Sequence, residues 1–230
     1  MKFDISGISV MIILPAKGSI SIPTVRSLIE TADMLRSRGI SYEMEFQVDG
    51  NIEYARSKGA HRFLQSKCNR LFWIDSDMEW KSENVLRLLA LSTKMDVVGG
   101  VYCARREPAT FFMQFPSTEG VHESNEWGCL PCNGFGIGFT VVSRTAVQAL
   151  ADVTPKIMFG LDNEPMAHLF ACDVNDGSFV GEDMAFFARL RKIGYQPYFD
   201  PSLTLGHVGE KVYSASIQDH LQQVQRDVAA

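Results

Sequence analysis

Leu71-Phe72-Trp73-Ile74 is a fully apolar run that ends abruptly in Asp75-Ser76-Asp77, two carboxylates one residue apart. A continuous apolar run bounded by turn signals predicts a central strand covered on both faces, because a half-buried strand would alternate. In open α/β sheets ligands collect at the carboxyl ends of such strands, which places Asp75 and Asp77 on a ligand rim. Two hard oxygen donors there suit magnesium or manganese, ions that keep several waters and take further oxygens from substrate phosphates.

The chain before this run has the matching alternation. Ile8 to Leu14 reads as a first buried strand, ended on the same rim by Pro15-Ala16-Lys17-Gly18, a candidate nucleotide loop. Ser21 caps a predicted helix with Val25, Leu28, Ile29, Ala32 and Leu35 inward, stopped by Gly39. From Ile40 to Val48 the period falls to two, predicting a strand with Tyr42, Met44, Phe46 and Val48 on one face. Asn51 caps the next helix, whose apolar positions Ile52, Ala55, Gly59 and Phe63 leave Arg56 and Lys58 off the buried stripe. After Asp77, a helix from Ser82 and a buried strand from Asp96 to Val101 complete a doubly wound pattern.

Beyond Tyr102 the alternation stops. Short strand-like pieces at Thr110 to Phe115 and Phe139 to Val142 flank Asn133-Gly134-Phe135-Gly136-Ile137-Gly138, and Ser143 caps a short helix to Leu150. The glycine run lacks the spacing and following helix of a dinucleotide fingerprint, which excludes a Rossmann dehydrogenase. Thr154 to Val180 shows no sustained period and reads as a lid or binding loop. Glu182-Asp183 open a helix stopped by Gly194, His207 stands between two glycines, and Ile217, Leu221, Val224 and Val228 recur at helical spacing in the tail.

Charge and cysteine usage bound the class. At 230 residues the chain fits one domain or two intimately packed halves, large enough to need no disulfide. Lys plus Arg number 22 against 27 Asp plus Glu, a net charge of −5 that offers no global basic surface for nucleic acid or an anionic membrane. Five irregularly spaced cysteines point to reduced thiols and a cytoplasmic setting, and the one apolar run near the start is too short to span a bilayer. Cys129-x-x-Cys132 with Cys103 and His122 offers zinc donors without the usual paired knuckle.

Acids in a first helical turn are favoured by about 0.3–1 kcal/mol through the helix dipole alone, so Glu182-Asp183 read either as structural charges or as a general base facing the cleft. Taken in order, the strand ending at Pro15, the helix with Asn51 and Arg56, Asp75-Ser76-Asp77, Val98-Gly99-Gly100, Gly134 to Gly138, Glu182-Asp183 and His207 resemble a GT-A fold glycosyltransferase of the small, family-two-like kind. The resemblance runs from about Ile8 to Gly209. It implies an α/β fold of GT-A type, with a Rossmann-like, mostly parallel central sheet flanked by helices and a smaller irregular acceptor half. Residues 1–101 would form the nucleotide-sugar half, 102–213 the acceptor and metal half, and 214–230 a C-terminal helix.

The same resemblance implies sugar transfer from a nucleoside-diphosphate donor, foremost a UDP-sugar, to an acceptor hydroxyl, assisted by manganese or magnesium. Asp75, Asp77 and His207 would hold the metal, Asp75 directly or through water or the ribose. Pro15, Ala16, Asn51, Arg56, Asp75, Ser76 and Gly134 would contact the donor. Asp183 would be the base of an inverting displacement that needs no enzyme nucleophile, and Glu182 would orient the acceptor. The acceptor is open among a saccharide, a protein, a small molecule and a modified nucleic-acid base. The competing readings are a nucleotidyltransferase, for which Pro15 to Ser19 is a poor phosphate loop, and a non-catalytic sugar-nucleotide or zinc-binding module.

Overall fold

Residues 3–116, 123–159 and 164–229 are described by a computed structural model. The first half alternates as β1 (Ser9–Ala16), α1 (Ile22–Ser37), β2 (Ser41–Val48), α2 (Ile52–Gln65), β3 (Arg70–Ile74), β4 (Met78–Glu79), α3 (Ser82–Leu91) and β5 (Val97–Gly99). The central sheet has seven strands in the order β2, β1, β3, Phe139–Ser143, β5, Tyr198–Phe199, Leu130–Pro131. Every residue of β3 from Leu71 to Ile74 is fully buried, as its apolar run requires. Leu71 and Trp73 enter one core with Phe63, Phe135 and Phe187, while Phe72 and Ile74 enter the other with Leu28, Leu88 and Phe139. Fully burying each such side chain contributes about 1.5–3 kcal/mol.

The sheet is mixed: five of its seven strands run the same way and two run against them. Phe139–Ser143 threads between β3 and β5 antiparallel to both, with Trp73 opposite Thr140 and Val98 opposite Val141. Tyr198–Phe199 returns parallel to β5, and Leu130–Pro131 closes the edge antiparallel. A fully buried run such as Phe139 to Val142 carries no signal of direction, because both its faces are covered either way. The helices α4 (Arg144–Val153) and α5 (Glu182–Lys192) cover one face with α2, while α1 and α3 cover the other. Of α6 (Ile217–Ala229), Ile217 is fully buried and Leu221 packs on the core, but Val224 is exposed.

Two elements depart from the apolar pattern. In α1 the buried face is Thr24, Ser27, Leu28, Thr31 and Leu35, whereas Val25 and Ile29 are 41% and 60% exposed. Hydrogen bonding displaces hydrophobicity here. Thr24 Oγ1 donates to the carbonyls of Ser76 and Met78 (3.1 and 2.7 Å), Ser27 Oγ to that of Trp80 (2.8 Å), and Trp80 Nε1 to Thr31 Oγ1 (2.8 Å). This polar seam clamps the turn that carries Asp75 to Asp77. The Thr31→Val protein should lose about 1–3 kcal/mol in urea denaturation, since the buried indole N–H loses its acceptor at nearly constant volume. The other departure is β2, a sheet edge on which Phe46 and Val48 are exposed and Gln47 is buried.

All five cysteines are free thiols. Cys129 and Cys132 lie in the two different cores, and burial pushes both thiols up to about 12. With the two thiols in separate cores, and no three His, Cys, Asp or Glu grouped closely enough among the described residues to hold a metal ion, the zinc reading finds no site there; its fourth donor, His122, lies outside the described residues. Among the described residues no helix is long and apolar enough to cross a membrane.

Candidate active site

Three separate elements converge at the carboxyl end of β3. Asp75 ends the strand, and its N–H donates to the Gly138 carbonyl (2.9 Å). Asp77 lies two residues on, in the turn leading to β4. β4 pairs antiparallel with Gly206–Val208, with Met78 opposite His207, and Val208 N donates to the Asp77 carbonyl (2.7 Å). That pairing brings His207 to Asp77 across more than a hundred residues of chain.

The His207 Nδ1 lies 3.0 Å from the Cys103 carbonyl, which can only accept, so Nδ1 carries the proton and Nε2 is left with its lone pair. Nε2 stands 3.8 Å from Asp77 Oδ1, and that buried oxygen has no hydrogen-bond partner among the described residues. Burial holds the His207 imidazole below its ordinary pKa, with the Arg105 charge adding to the fall and the Cys103 carbonyl opposing it. A neutral imidazole oriented by a backbone acceptor, beside an unpartnered carboxylate oxygen, is a donor pair that fits a divalent ion. Asp75 stands apart from this pair, and among the described residues no three His, Cys, Asp or Glu group closely enough to hold a metal ion. Asp77 and His207 would hold manganese or magnesium as two protein ligands, the remainder coming from phosphate and water.

Asp75 is committed to Arg56. The Arg56 guanidinium is almost fully buried, donating from Nη2 to Asp75 Oδ1 (3.0 Å) and from Nη1 to Asp183 Oδ1 (2.5 Å). Arg56 thus lies on the buried side of α2, correcting its expected place off that stripe: two carboxylates from distant elements compensate the cost of burying its charge. Burial alone would lower its pKa, yet Asp183 and Asp75 hold it above the ordinary arginine value. Tyr102 donates its hydroxyl to Asp75 Oδ2 (3.4 Å), and burial keeps that phenol protonated far above its usual range. Gly138 must lack a side chain, since a Cβ there would stand 2.3 Å from Asp75 Oδ2.

Asp183 sits in the first turn of α5, and its Oδ2 accepts the Ile137 N–H (3.2 Å). The helix dipole favours the charged form by less than one pKa unit's worth of energy, about 1.4 kcal/mol. Burial is the larger effect: it pushes the Asp183 carboxyl up to about 6 against the pull of Arg56, with Glu182 and Asp75 adding to the rise.

Two cavities adjoin this cluster. One, of about 620 Å³, is lined by Pro15, Ala16, Asp49, Arg56, Asp75, Ser76 and Asp77 among others. The other, of about 640 Å³, is lined by Tyr102, Phe112, Phe135, Glu182, Asp183 and His207 among others. Arg105 is in the wall of both. Two expected donor contacts lie elsewhere. The Asn51 Oδ1 caps α2 by accepting the Tyr54 N–H (3.1 Å), while its neighbour Asp49 lines the first cavity. Gly134 packs against Met184 and Phe187, where a Cβ would come within 3.1 Å of both, so it serves the seat of α5. Sequence reasoning missed Tyr102, Arg105, Asp49 and Phe112. Tyr102 and Arg105 follow the end of buried β5, the same rim signal that singles out Asp75.

No protein-family model and no curated protein sequence matches this chain. Among solved structures, A197 from STIV superposes with a TM-score of 0.57 at 19% identity, covering 92% of this chain and 91% of that one. The fold is of the GT-A type. Weaker likenesses run to GalNAc-T7 with UDP, GalNAc and Mn2+ (TM-score 0.48, 11% identity, 88% of this chain and 43% of that one). A further one is a glycosyltransferase involved in the glycosylation of the major capsid of PBCV-1 (TM-score 0.36, 10% identity, 61% and 62%). Within the GT-A fold, the site described above lies where the ends of β1 and β3 meet the start of α5.

Proposed function

We propose that this chain is an inverting, metal-assisted glycosyltransferase that moves a sugar from a nucleoside diphosphate, foremost uridine diphosphate, to an acceptor hydroxyl. The observation that carries the reading is the pair of cavities meeting at Arg105, one holding Asp77 and the other reached by Asp183. In this reading residues 1–101 form the donor half, with Pro15, Ala16, Asp49 and Ser76 around the nucleoside, and 102–213 the acceptor half. A divalent ion held by Asp77 and His207 would supply Lewis-acid neutralisation of charge on the leaving diphosphate.

The chain's own groups do the rest. Asp183, deprotonated above about 6, takes the proton of the acceptor hydroxyl as its oxygen bonds to the anomeric carbon. The bond from that carbon to the donor diphosphate breaks, and its electron pair leaves on the phosphate oxygen. Arg56 fixes the Asp183 carboxylate by one oxygen and the Ile137 N–H fixes it by the other, leaving a lone pair on each for the acceptor proton. Glu182 lines the same cavity and orients the acceptor. Phe112, 66% exposed, and Tyr102 and Phe135 give that cavity an aromatic wall, suiting an acceptor with an apolar face beside the reacting hydroxyl.

Calorimetry with uridine diphosphate tests the donor side: manganese should strengthen binding to the wild type, and Asp77→Ala should abolish that strengthening. Metal-independent binding by the wild type, or strengthening retained in the variant, contradicts the assignment.

A further inference from the structure

Arg105 stands where the two cavities meet, and it is paired with the one carboxylate assigned to the metal. Its Nη2 makes an ion pair with Asp77 Oδ2, while Oδ1 of the same carboxylate faces His207. The arginine reaches Asp77 from a tethered base. Ala104 N donates to the Thr110 carbonyl (2.7 Å), Arg106 Nε donates to Thr110 Oγ1 (2.8 Å), and Glu107 pairs with Lys211 on the turn after Gly206–Val208. The Arg105 stem lies over Gly209, where a Cβ would stand 3.0 Å from its Cδ. The loop is held, yet the Arg105 side chain is 42% exposed and lines both cavities.

From this placement, and resting on the donor reading above, we infer that Arg105 is the resident counter-cation of Asp77 in the empty enzyme and the diphosphate ligand in the loaded one. A guanidinium and a divalent ion compete for the same carboxylate, so Arg105 opposes binding of metal alone. When a nucleoside diphosphate enters, its oxygens supply the missing metal ligands and also offer Arg105 a planar, bidentate anionic partner in place of Asp77. Arg105 then gives up Asp77 and pairs with phosphate. Metal and nucleotide therefore bind cooperatively, and Arg105 adds to the cooperativity that the shared metal ligands provide.

The inference predicts opposite signs for two binding constants in one variant. Manganese binding is measured by electron paramagnetic resonance without nucleotide, and uridine diphosphate binding by calorimetry at saturating manganese. Arg105→Ala should bind manganese alone about tenfold more tightly and the nucleotide about tenfold more weakly, within the usual range of coupling between sites. Arg105→Lys, which keeps the charge and loses the planar fork, should fall between alanine and wild type in both assays, with thermal unfolding confirming that each variant is folded. Manganese binding left unchanged or weakened in Arg105→Ala, beside normal manganese-dependent nucleotide binding by the wild type, overturns the inference alone. Absence of manganese-dependent nucleotide binding in the wild type overturns the donor reading and this inference with it.

Discussion

Replacing Asp183 with Asn should lower kcat for sugar transfer by about 10²–10⁴-fold while manganese-dependent nucleotide binding survives, because the proton acceptor is removed and the donor cavity is left intact. The amide is nearly isosteric but cannot satisfy both neighbours. One of Arg56 Nη1 and Ile137 N, each of which donates to a carboxylate oxygen in the wild type, must face the amide NH2. The variant should therefore also lose about 1–3 kcal/mol of stability, which urea denaturation separates from the loss of turnover. The pH profile identifies the residue more sharply. A base works when deprotonated, and burial raises the Asp183 carboxyl to about 6. Wild-type kcat/KM should thus fall about tenfold per pH unit below 6 and level off above it. In Asp183→Asn the residual rate should lose that acidic limb, and a limb retained at the same pH would assign the base to another group.

The two halves of this site were not equally legible. Asp75 and Asp77 follow from local pattern, since a run as apolar as Leu71 to Ile74 has few places to lie except the middle of a sheet. The helix caps at Ser21, Asn51 and Ser143 were readable for the same reason, each being a short polar side chain that satisfies an N–H of the following turn. Asp183 and His207 carry no such local mark and entered through their order along the chain. Their pairing with Arg56 and Asp77 depends on strand register, above all Met78 opposite His207, which no single segment encodes.

Where local pattern misled, buried polar groups had displaced the hydrophobic rule. α1 turns Thr24, Ser27 and Thr31 inward because the carbonyls of Ser76, Met78 and Trp80 and the Trp80 indole need partners, and Val25 and Ile29 are left outside. Arg56 is buried for a kindred reason, visible only once Asp75 and Asp183 are known to face it. Arg105 and Phe112 went unread because the chain after β5 shows no period on which to hang a side chain's direction.

The second large effect is expected at Arg56. Arg56→Met fills much of the volume but removes the charge that bridges Asp75 Oδ1 and Asp183 Oδ1. Removing one partner of a buried ion pair leaves the other charge uncompensated, at about 3–5 kcal/mol in the general case. Here the two carboxylates keep 23% and 24% of their side-chain surface in contact with water, so solvent recovers part of that loss and about 2–4 kcal/mol is expected at pH 8. The sign of the pH dependence follows from Asp183. Its carboxyl already titrates above the ordinary aspartate value through burial, and loss of Arg56 removes the interaction that opposes the rise. The folded variant therefore binds that proton more tightly than the unfolded chain does, and its deficit should shrink as pH falls through the raised folded value toward the unfolded one. Combining Arg56→Met with Asp183→Asn removes the repulsion by mutation instead of by protonation, so the double variant should be more stable at pH 8 than the sum of the single changes, by about 0.5–3 kcal/mol. If Arg56→Met unfolds at the same urea concentration as wild type at pH 8, gains nothing on acidification and shows no coupling to Asp183→Asn, then Arg56 does not hold the two acids together and the link it makes between donor and acceptor cavities carries no energy.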